Sequence, residues 1–500
     1  MTGFPWGQLS CELWLGLLGL VMLGADLLIR DRSKAHYVGY LALVGLMIGL
    51  VPAAGGCAPD AASPLLFGGS YAVDRFQVFF RLFALIQAIL VVVLSFDYLE
   101  HIRLDRGVYF TLIVFGTLAM VLLTGSRDLV MIYLVIEFLS ITSYLLAGFL
   151  LGSDKPALGE IKRSLEASLK YLIYGAVASA VMVYGFSLMY GLAGATSLEA
   201  VGRAYAEPGN ALIKLTALIM ALAGFTYKIS AVPFHQWAPD VYQGAPTPVS
   251  AFLAVGSKGA AIAVMVRFLT LATGSFADHW QVVLALVAVC TMFVGNLLAL
   301  LQSNLKRLLA YSGVAHAGYL LVGLVANDEA NRGVQAMLLY LMVYLLMTMG
   351  AFAVVVWHQR RTGSEDIADL AGLARTEPFM AIMMTVLLLS LTGIPPTAGF
   401  IGKLHLLLLT VNLKHAWLGV MIVINSAISL YYYWNIVRVM WLLPPADEPL
   451  AKHRPAQWAA GVAYICGLLT LLAGLQFGPL RDLADAPLDV APAAMEPAEE

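Results

Sequence analysis

Apolar segments about 20 residues long follow one another along almost the whole chain. A helix needs about 20 apolar residues to cross the hydrocarbon core of a bilayer. Of the 500 residues, 60% are hydrophobic, against roughly 45–50% in soluble domains. Only 12% are charged, and no long stretch is polar enough to form a separate soluble domain. The sequence therefore predicts an all-α polytopic membrane protein.

Fourteen of these segments are expected to span the membrane as helices. The connection after the seventh, residues 233–246, contains several prolines and is expected to be irregular. The twelfth segment is interrupted at Pro395. The expected spans lie near residues 9–29, 37–54, 75–96, 107–124, 128–151, 166–193, 210–229, 247–271, 279–301, 305–325, 333–358, 379–409, 416–442 and 457–477.

Lysine and arginine in the loops set the orientation, because the face richer in them stays in the cytoplasm. The richer face carries Arg30, Arg32, Lys34, Arg103, Arg106, Lys155, Lys162, Arg163, Lys306, Arg307, Arg360, Arg361, Arg375, Lys452 and Arg454. The poorer face carries Arg127, Arg203, Arg332, Lys414 and Arg481. We therefore expect a multi-pass protein of the bacterial inner membrane with both termini outside, on the periplasmic side.

Two of the spans are interrupted by proline, and each has a lysine beside the interruption. Lys228 precedes Pro233, and Lys403 follows Pro395 and Pro396. Pairs of interrupted helices at corresponding places in two halves of a chain are typical of transporters built from inverted repeats.

The two interruptions divide most of the chain into two segments of five spans each. We expect residues 107–272 and 278–442 to form inverted five-helix repeats, each with one proline-broken helix. Three helices within residues 1–100 and the last helix, 457–477, lie outside the repeats. Residues 481–500 are rich in Pro, Ala and acidic residues and are expected to be disordered.

Ionisable side chains are costly inside a bilayer and usually mark an ion pathway. The sequence places six of them at depth: Glu137, Lys214, Lys228, Lys258, His316 and Lys403. Lys214 is near the start of its span and is expected to extend to the outer surface. The other five are the candidate proton carriers.

Each candidate also has a structural alternative. Glu137 could be a protonated, hydrogen-bonded carboxyl, and Lys228 could extend to the cytoplasmic surface. His316 could be a neutral imidazole held by one hydrogen bond. Lys258 and Lys403 are too deep to extend, and the small residues around Lys258 would allow close packing and leave room for water.

Buried lysines suit proton transfer when a carboxylate approaches and withdraws. A free lysine has a pKa near 10.4, desolvation lowers such a pKa by up to about 3–5 units, and a nearby carboxylate raises it. A swing of about 3 pKa units is roughly 4 kcal/mol, and moving a proton against 100 mV costs about 2.3 kcal/mol. The residues would titrate as a coupled set. Such a chain still needs an external source of energy.

No cofactor or nucleic-acid site is expected in this chain. The four cysteines are scattered without a C-x-x-C pair, and neither the dinucleotide fingerprint nor the P-loop pattern occurs. A haem between His316 and His405 is disfavoured because its axial ligands must oppose each other. The net charge of -2 offers no basic face for nucleic acid.

The residues that follow Lys228, through Ser250, closely resemble a signature of the antiporter-like subunits of respiratory complex I, the NADH-quinone oxidoreductase. The run Pro-Asp-Val-Tyr-Gln-Gly-Ala-Pro at 239–246 carries most of this resemblance. Further similar stretches are 168–176, 304–312 and 391–400.

The resemblance implies a fourteen-helix, proton-translocating subunit of a translocating oxidoreductase, without a redox centre of its own. It maps family functional residues onto Glu137, Lys228, Lys258 and Lys403. It implies partner subunits in the membrane, both antiporter-like and quinone-binding, and a complex that carries FMN, iron–sulfur clusters and quinone elsewhere. Within the family, a lysine at Lys403 is typical of one subunit where another has glutamate.

Two alternatives remain open at this stage. A subunit of a multi-subunit, Mrp-type cation/proton antiporter would share the fold and the lysines, although its signature around the first break differs from this Tyr-Gln-Gly-Ala-Pro run. A non-transporting membrane scaffold would leave the deep charges dispensable, and the number of deep charges disfavours it.

Overall fold

The computed structural model describes residues 6–28, 36–55, 65–100, 106–152, 158–328, 330–412, 415–445 and 456–485. Some loop cations used for the orientation, Lys414 among them, lie outside these ranges, as does the predicted tail beyond Asp485. The helices are α1 Ser10–Leu28, α2 His36–Ala54, α3 Arg75–Leu99, α4 Arg106–Gly125, α5 Leu129–Ala147, α6 Leu158–Ala193, α7 Leu198–Ala206, α8 Ala211–Lys228, α9 Trp237–Gly244, α10 Thr247–Phe252, α11 Lys258–Thr273, α12 Ala277–Ala299, α13 Leu305–Val325, α14 Arg332–Thr362, α15 Leu373–Thr376, α16 Pro378–Thr392, α17 Ala398–Asn412, α18 Ala416–Leu442, α19 Gln457–Leu475 and α20 Gly478–Asp485.

The prediction of a polytopic helical membrane protein is confirmed. In the described ranges, twelve helical stretches are long and apolar enough to cross a membrane. One of them, Thr247–Ala299, takes in two of the expected spans, and the expected span broken at Pro395 gives the shorter helices α16 and α17. The count of fourteen and the inverted repeats stay predictions. The described strands are β1 Leu65–Leu66 and β2 Tyr71–Ala72, which pair antiparallel.

The expected irregular connection at 233–246 is partly helical. Residues Trp237–Gly244 form α9. Proline is tolerated in the first turn of a helix, where its missing N–H is not needed, so Pro239 does not prevent α9 from forming. Similarly, α20 extends helical structure through Asp485, five residues into the segment predicted to be disordered.

Both interruptions end a helix inside the bundle. After Lys228, the last residue of α8, Ser230 adopts a left-handed backbone with φ 63°. At the second break Gly393, with φ 90°, ends α16, and its N–H bonds the carbonyls of Leu389 and Ser390. Glycine suits this left-handed C-terminal position because it has no Cβ. The Ser390 hydroxyl accepts the N–H of Gly399 at 3.0 Å and so supports the start of α17.

Buried ion pairs fasten α3 to its neighbours. Arg81 on α3 pairs with Glu12 on α1 at 2.6 Å, and both side chains are buried. Asp74, the N-cap of α3, accepts bonds of 2.7 and 2.5 Å from the two terminal nitrogens of Arg267 on α11. Arg267 also donates to the carbonyl of Thr124, the penultimate residue of α4. These contacts join α1, α3, α4 and α11.

Candidate functional site

The four basic candidates lie inside the protein rather than at its surface. Lys228, Lys258, His316 and Lys403 are between 1% and 6% exposed. Glu137 is half-buried, and its Oε1 atom is buried without a hydrogen-bond partner among the described residues. None of the four basic side chains extends to the surface. The alternative in which Lys228 extends to the cytoplasmic surface is therefore wrong.

Lys228 lies close to the helix that carries Glu137 but does not contact the carboxylate. Its Nζ atom donates to the Ser140 hydroxyl at 3.0 Å, and Ser140 is one turn along α5 from Glu137. Among the described residues, Glu137 and Lys228 form no ion pair within 4.0 Å, and the Glu137 Oε1 atom has no hydrogen-bond partner. The Tyr171 ring centroid is 5.6 Å from the Lys228 ammonium. The expected Glu–Lys pair is therefore open, with a serine holding the lysine.

Tyr171 connects the surroundings of Lys228 to those of Lys258. Its hydroxyl is buried and faces Ser257, the residue before Lys258. Neither the Tyr171 hydroxyl nor the Ser257 hydroxyl has a partner of regular hydrogen-bond geometry among the described residues. A tyrosine hydroxyl can both donate and accept, so this position suits proton relay.

Lys258 opens α11 directly after a π-helical turn, Leu253–Ser257. Its Nζ atom donates to the carbonyl of Gly313 on α13, and the Tyr344 ring centroid is 5.5 Å from the ammonium. A Cβ atom at Gly313 would lie 3.4 Å from Lys258 Nζ and 3.2 Å from the Tyr344 hydroxyl. The absence of a side chain at Gly313 thus allows the lysine to reach the backbone.

The prediction that small residues around Lys258 leave room for water is wrong for two of them. A Cβ atom at Gly259 would lie 2.5 Å from the Phe83 ring, and one at Gly256 would collide with Gln87. Both neighbours are on α3, so these glycines serve close helix packing, the other expected role. The Gln87 amide is buried without a partner among the described residues, so this packing still places a polar group near Lys258.

His316 is held among three tyrosines. Its Nδ1 atom is 2.6 Å from the Tyr340 hydroxyl, and its ring centroid is 5.2 Å from that of Tyr344 and 5.6 Å from that of Tyr319. The hydrogen bond to Tyr340 satisfies the structural alternative, a core imidazole with one partner. Tyr344 also contacts Lys258, however, so the imidazole is one tyrosine away from that lysine.

Lys403 takes its partners from the second break. Its Nζ atom donates to the carbonyls of Leu391 at 3.1 Å and Thr392 at 2.9 Å, the last residues of α16. Carbonyls at the end of a helix have no intrahelical partner, so the break supplies acceptors for the ammonium. The Tyr319 ring centroid is 4.5 Å from Lys403 Nζ, and Tyr319 also contacts His316.

The four basic residues lie in one buried series, in which each contacts a tyrosine ring. The step from Tyr171 to Lys258 is indirect, because the Tyr171 hydroxyl faces Ser257, the residue before Lys258. We call this series the lysine–tyrosine line, and Glu137 lies beside its first member. In order, its members are Lys228, Tyr171, Lys258, Tyr344, His316, Tyr319 and Lys403. The lysines and the histidine were expected from the sequence, and the tyrosines were not. One sequence pattern could have indicated a tyrosine in this series. Tyr340, Tyr344 and Thr348 are spaced four residues apart and therefore share one face of α14.

Two other basic residues lie outside this line. The expectation that Lys214 extends to the outer surface is wrong, because its side chain is buried. Its Nζ donates to the carbonyls of Tyr205 at 3.2 Å and Glu207 at 2.5 Å, next to α7. His405 bonds the carbonyl of Ile401 on its own helix at 2.8 Å. His316 and His405 have different surroundings and do not form an opposed pair. Within the described residues, no group of three or more His, Cys, Asp or Glu could hold a metal ion.

Asp240, in α9, links α6 to α13. It accepts bonds of 2.6 Å from Lys170 on α6 and from Arg307 on α13. Burial raises the pKa of the Asp240 carboxyl, but the bonds from the two cations outweigh it and hold the pKa below its usual value. Lys306 donates to the carbonyl of Ala245 at 2.8 Å. These contacts fix the segment that follows the first break.

Residues 126–429 match a protein family described as NADH:quinone oxidoreductase/Mrp antiporter, TM. The NADH-quinone oxidoreductase subunit N of Moorella thermoacetica is 40% identical over 479 residues, which cover 95% of this chain and 97% of the relative. The subunit N of Chlorobium chlorochromatii is 41% identical over 488 residues, which cover 95% of this chain and 93% of the relative.

Solved structures show the same architecture. A chain of respiratory complex I from Thermus thermophilus with bound aureothin superimposes with a TM-score of 0.78 at 31% identity, covering 95% of this chain and 100% of the other. A chain of the Mrp complex from Dietzia superimposes with a TM-score of 0.80 at 19% identity, covering 97% of each. The second likeness is one of fold alone.

Proposed function

The chain belongs to the NADH:quinone oxidoreductase/Mrp antiporter membrane family, and from this premise we propose that it is a proton-translocating subunit N of an NADH-quinone oxidoreductase. The observation that carries the proposal is the lysine–tyrosine line. It places three lysines and a histidine in one buried series, with a carboxylate beside its first member.

Each residue in the line has a role in this proposal. Lys228, Lys258 and Lys403 hold and release the proton, and Glu137 favours the charged form of Lys228 when it approaches. His316 and the tyrosine hydroxyls pass the proton between lysines, because each can donate and accept. In one state Lys228 bonds the Ser140 hydroxyl, and in the other it pairs with the Glu137 carboxylate. The alternation changes the protonation of the first lysine, and the coupled set transmits the change.

The energy comes from partner subunits. In this proposal FMN, iron–sulfur clusters and quinone belong to other chains of the complex, and this chain supplies no redox group. The immediate partners are the other membrane subunits, antiporter-like and quinone-binding. The membrane is the bacterial inner membrane, with both termini on its outer side.

An Mrp-type cation/proton antiporter subunit is the second candidate, because a chain of such a complex has the same fold. The 40% identity to a subunit N favours the first candidate. Genes for quinone-oxidoreductase subunits next to this gene would support subunit N, and genes for antiporter subunits would support the alternative.

Replacing Glu137 or Lys228 with alanine tests the proposal. We expect each variant to assemble into the complex but to lower both proton pumping and NADH-quinone reductase turnover, by about tenfold or more, because each removes a protonation partner. Pumping is measured in inverted membrane vesicles with a pH-sensitive dye. The control is Glu166→Ala, which removes an exposed carboxylate paired with Lys170. Wild-type pumping and turnover in both test variants would refute the proposed route.

Ser140→Ala tests the open state of the Glu137–Lys228 pair. The substitution removes the only side-chain oxygen that bonds Lys228 in the described structure. One such bond is worth about 0.5–1.5 kcal/mol, so we expect pumping to change by no more than about tenfold. Thr142→Ala is the matched control, because the Thr142 hydroxyl bonds the carbonyls of Phe138 and Leu139 on its own helix. Equal effects of the two substitutions on pumping would contradict a role for the Ser140 contact.

A further inference from the structure

A second buried polar network lies beside the lysine–tyrosine line, on α12, α13 and α18. Asn296 on α12 and Asn425 on α18 are both fully buried. Asn296 donates through Nδ2 to Asn425 Oδ1 at 3.1 Å, and its Oδ1 accepts from the Tyr432 hydroxyl at 2.9 Å. Its Nδ2 also lies 3.5 Å from the hydroxyl of Tyr319, a member of the line. We call Asn296, Asn425 and Tyr432 the amide cluster.

A backbone carbonyl fixes the direction of the hydrogen bonds in the amide cluster. The Nδ2 atom of Asn425 donates to the carbonyl of Met421, one turn earlier on α18, at 3.0 Å. Because a carbonyl can only accept, the amide of Asn425 turns its oxygen towards Asn296. Asn296 therefore donates to Asn425, and its own oxygen accepts from Tyr432. The second N–H of the same Nδ2 is left for the Tyr319 hydroxyl.

The amide cluster holds a hydrogen-bond donor in place and does not carry protons itself. An amide has its donor hydrogens on nitrogen and its acceptor lone pairs on a separate oxygen, whereas one hydroxyl oxygen does both. A proton from Tyr432 could cross Asn296 only if the amide gave up an N–H proton. What the cluster supplies is a fixed donor for the oxygen of Tyr319.

Tyr319 is the residue on which this donor acts. Its ring centroid is 4.5 Å from Lys403 Nζ and 5.6 Å from the ring centroid of His316. When its hydroxyl passes a proton, one O–H bond breaks and another forms, and the oxygen carries extra negative charge between the two events. Hydrogen bonds to a charged acceptor are stronger than those to a neutral one. A donor that is already oriented needs no rearrangement during the transfer.

The amide cluster also connects to the acceptor of Lys258. The rings of Tyr432 and Tyr433 have centroids 4.3 Å apart, and the Tyr433 hydroxyl shares a hydrogen bond with that of Ser312 on α13. Ser312 precedes Gly313, whose carbonyl accepts from Lys258 Nζ. The helix α18 thus supports the neighbours of two of the three lysines in the line.

We propose that Asn296 is a positioning residue for proton transfer between His316 and Lys403 through Tyr319. Asn425 and Tyr432 hold its amide in the donating orientation. The inference rests on the proposed function, because it takes Tyr319 as a proton carrier. Asn296 acts through the Tyr319 hydroxyl, so its effect on pumping disappears when that hydroxyl is absent.

A double-mutant cycle in the assembled complex tests this inference. Asn296→Leu removes the donor, and Tyr319→Phe removes the hydroxyl but keeps the ring beside Lys403. We expect Asn296→Leu to lower pumping per assembled complex by about three- to tenfold, the range for one hydrogen bond. Tyr319→Phe should lower it by at least about tenfold. The double variant is expected to pump as well as Tyr319→Phe alone.

A second variant covers the case in which Asn296→Leu fails to assemble because it leaves polar neighbours unpaired. Asn296→Leu/Asn425→Leu/Tyr432→Phe makes the whole amide cluster apolar, a kind of change that can be nearly neutral for stability. We expect it to assemble and to show the same loss of pumping as Asn296→Leu. The control is Thr470→Val, which removes a buried hydroxyl that bonds the Cys466 carbonyl on its own helix.

Lys403→Met separates this inference from the proposed function. If Lys403→Met abolishes pumping while the apolar cluster variant pumps as well as Thr470→Val, the positioning role is wrong and the proposed route stands. If Lys403→Met pumps like wild type, both are wrong. A loss in the Asn296→Leu/Tyr319→Phe double variant equal to the product of the two single losses would also overturn the positioning role, because independent effects multiply.

Discussion

Replacing Lys258 with methionine is expected to abolish proton translocation while the chain still enters the membrane complex. Methionine has a similar length and no titratable group, and it suits an interior of 1% exposure. Lys258 lies between Tyr171 and Tyr344 in the lysine–tyrosine line, so its loss divides the series into two parts. We expect at least about a hundredfold loss of pumping, the lower range for removal of an acid–base group.

The matched control is Lys214→Met, because Lys214 is also buried and also bonds backbone carbonyls, but lies outside the line. Pumping by Lys214→Met should stay near wild type once the data are corrected for the amount of assembled complex. Pumping and quinone reductase turnover are measured on the same vesicles. If Lys258→Met pumps as well as Lys214→Met, the central lysine is not a proton carrier.

Removal of one partner of the Asp74–Arg267 pair is expected to cause the largest loss of stability. Both side chains are almost fully buried, with 4% and 1% exposed, and an uncompensated buried charge costs about 3–5 kcal/mol. Asp74 also caps α3 by accepting the N–H of Gln77. The free energy of unfolding of a whole domain is only about 5–15 kcal/mol, so Asp74→Ala should sharply reduce the amount of this chain found in membranes.

The amount of the chain in membranes and the melting temperature of the purified complex measure this effect. Asp74→Asn keeps an oxygen for the cap and removes the charge, so its defect should be smaller than that of Asp74→Ala. Glu377→Ala is the control, since Glu377 pairs with Arg361 at 2.8 Å in a half-exposed position, where such pairs contribute about 0–1 kcal/mol. Equal losses of stability from Asp74→Ala and Glu377→Ala would show that the buried pair contributes no more to stability than the half-exposed pair.

The sequence allowed prediction of the helices and of the depth of the key lysines, because both follow from hydropathy along the chain. The helix α13 was expected at 305–325, and it spans Leu305–Val325. Lys258 and Lys403 were expected to be buried and are. The partners of these lysines were not predictable, because they are backbone carbonyls exposed by Gly313 and by the end of α16. No side-chain pattern identifies a carbonyl as an acceptor.

The buried ion pairs around α3 were also missed, for a different reason. Arg81 and Arg267 lie near the ends of their spans, where a long cation normally reaches water. Whether water is present there depends on the neighbouring helices: α1 brings Glu12 into contact with Arg81, and the start of α3 brings Asp74 into contact with Arg267. Distance from the end of a span is a property of the sequence, whereas burial at that end is a property of the assembled bundle.

The π-helical turn before Lys258 has a consequence for how such a helix changes during evolution. A π-helical turn contains one more residue than the α-helical turn that it replaces. Each residue of an α-helix accounts for about 100° of rotation. Deleting one residue within Leu253–Ser257 would restore a regular helix and rotate Lys258 by about that angle relative to α10. An insertion inside a membrane helix, normally disruptive, is therefore also a route by which a charged side chain acquires a new direction without any exchange of side chains.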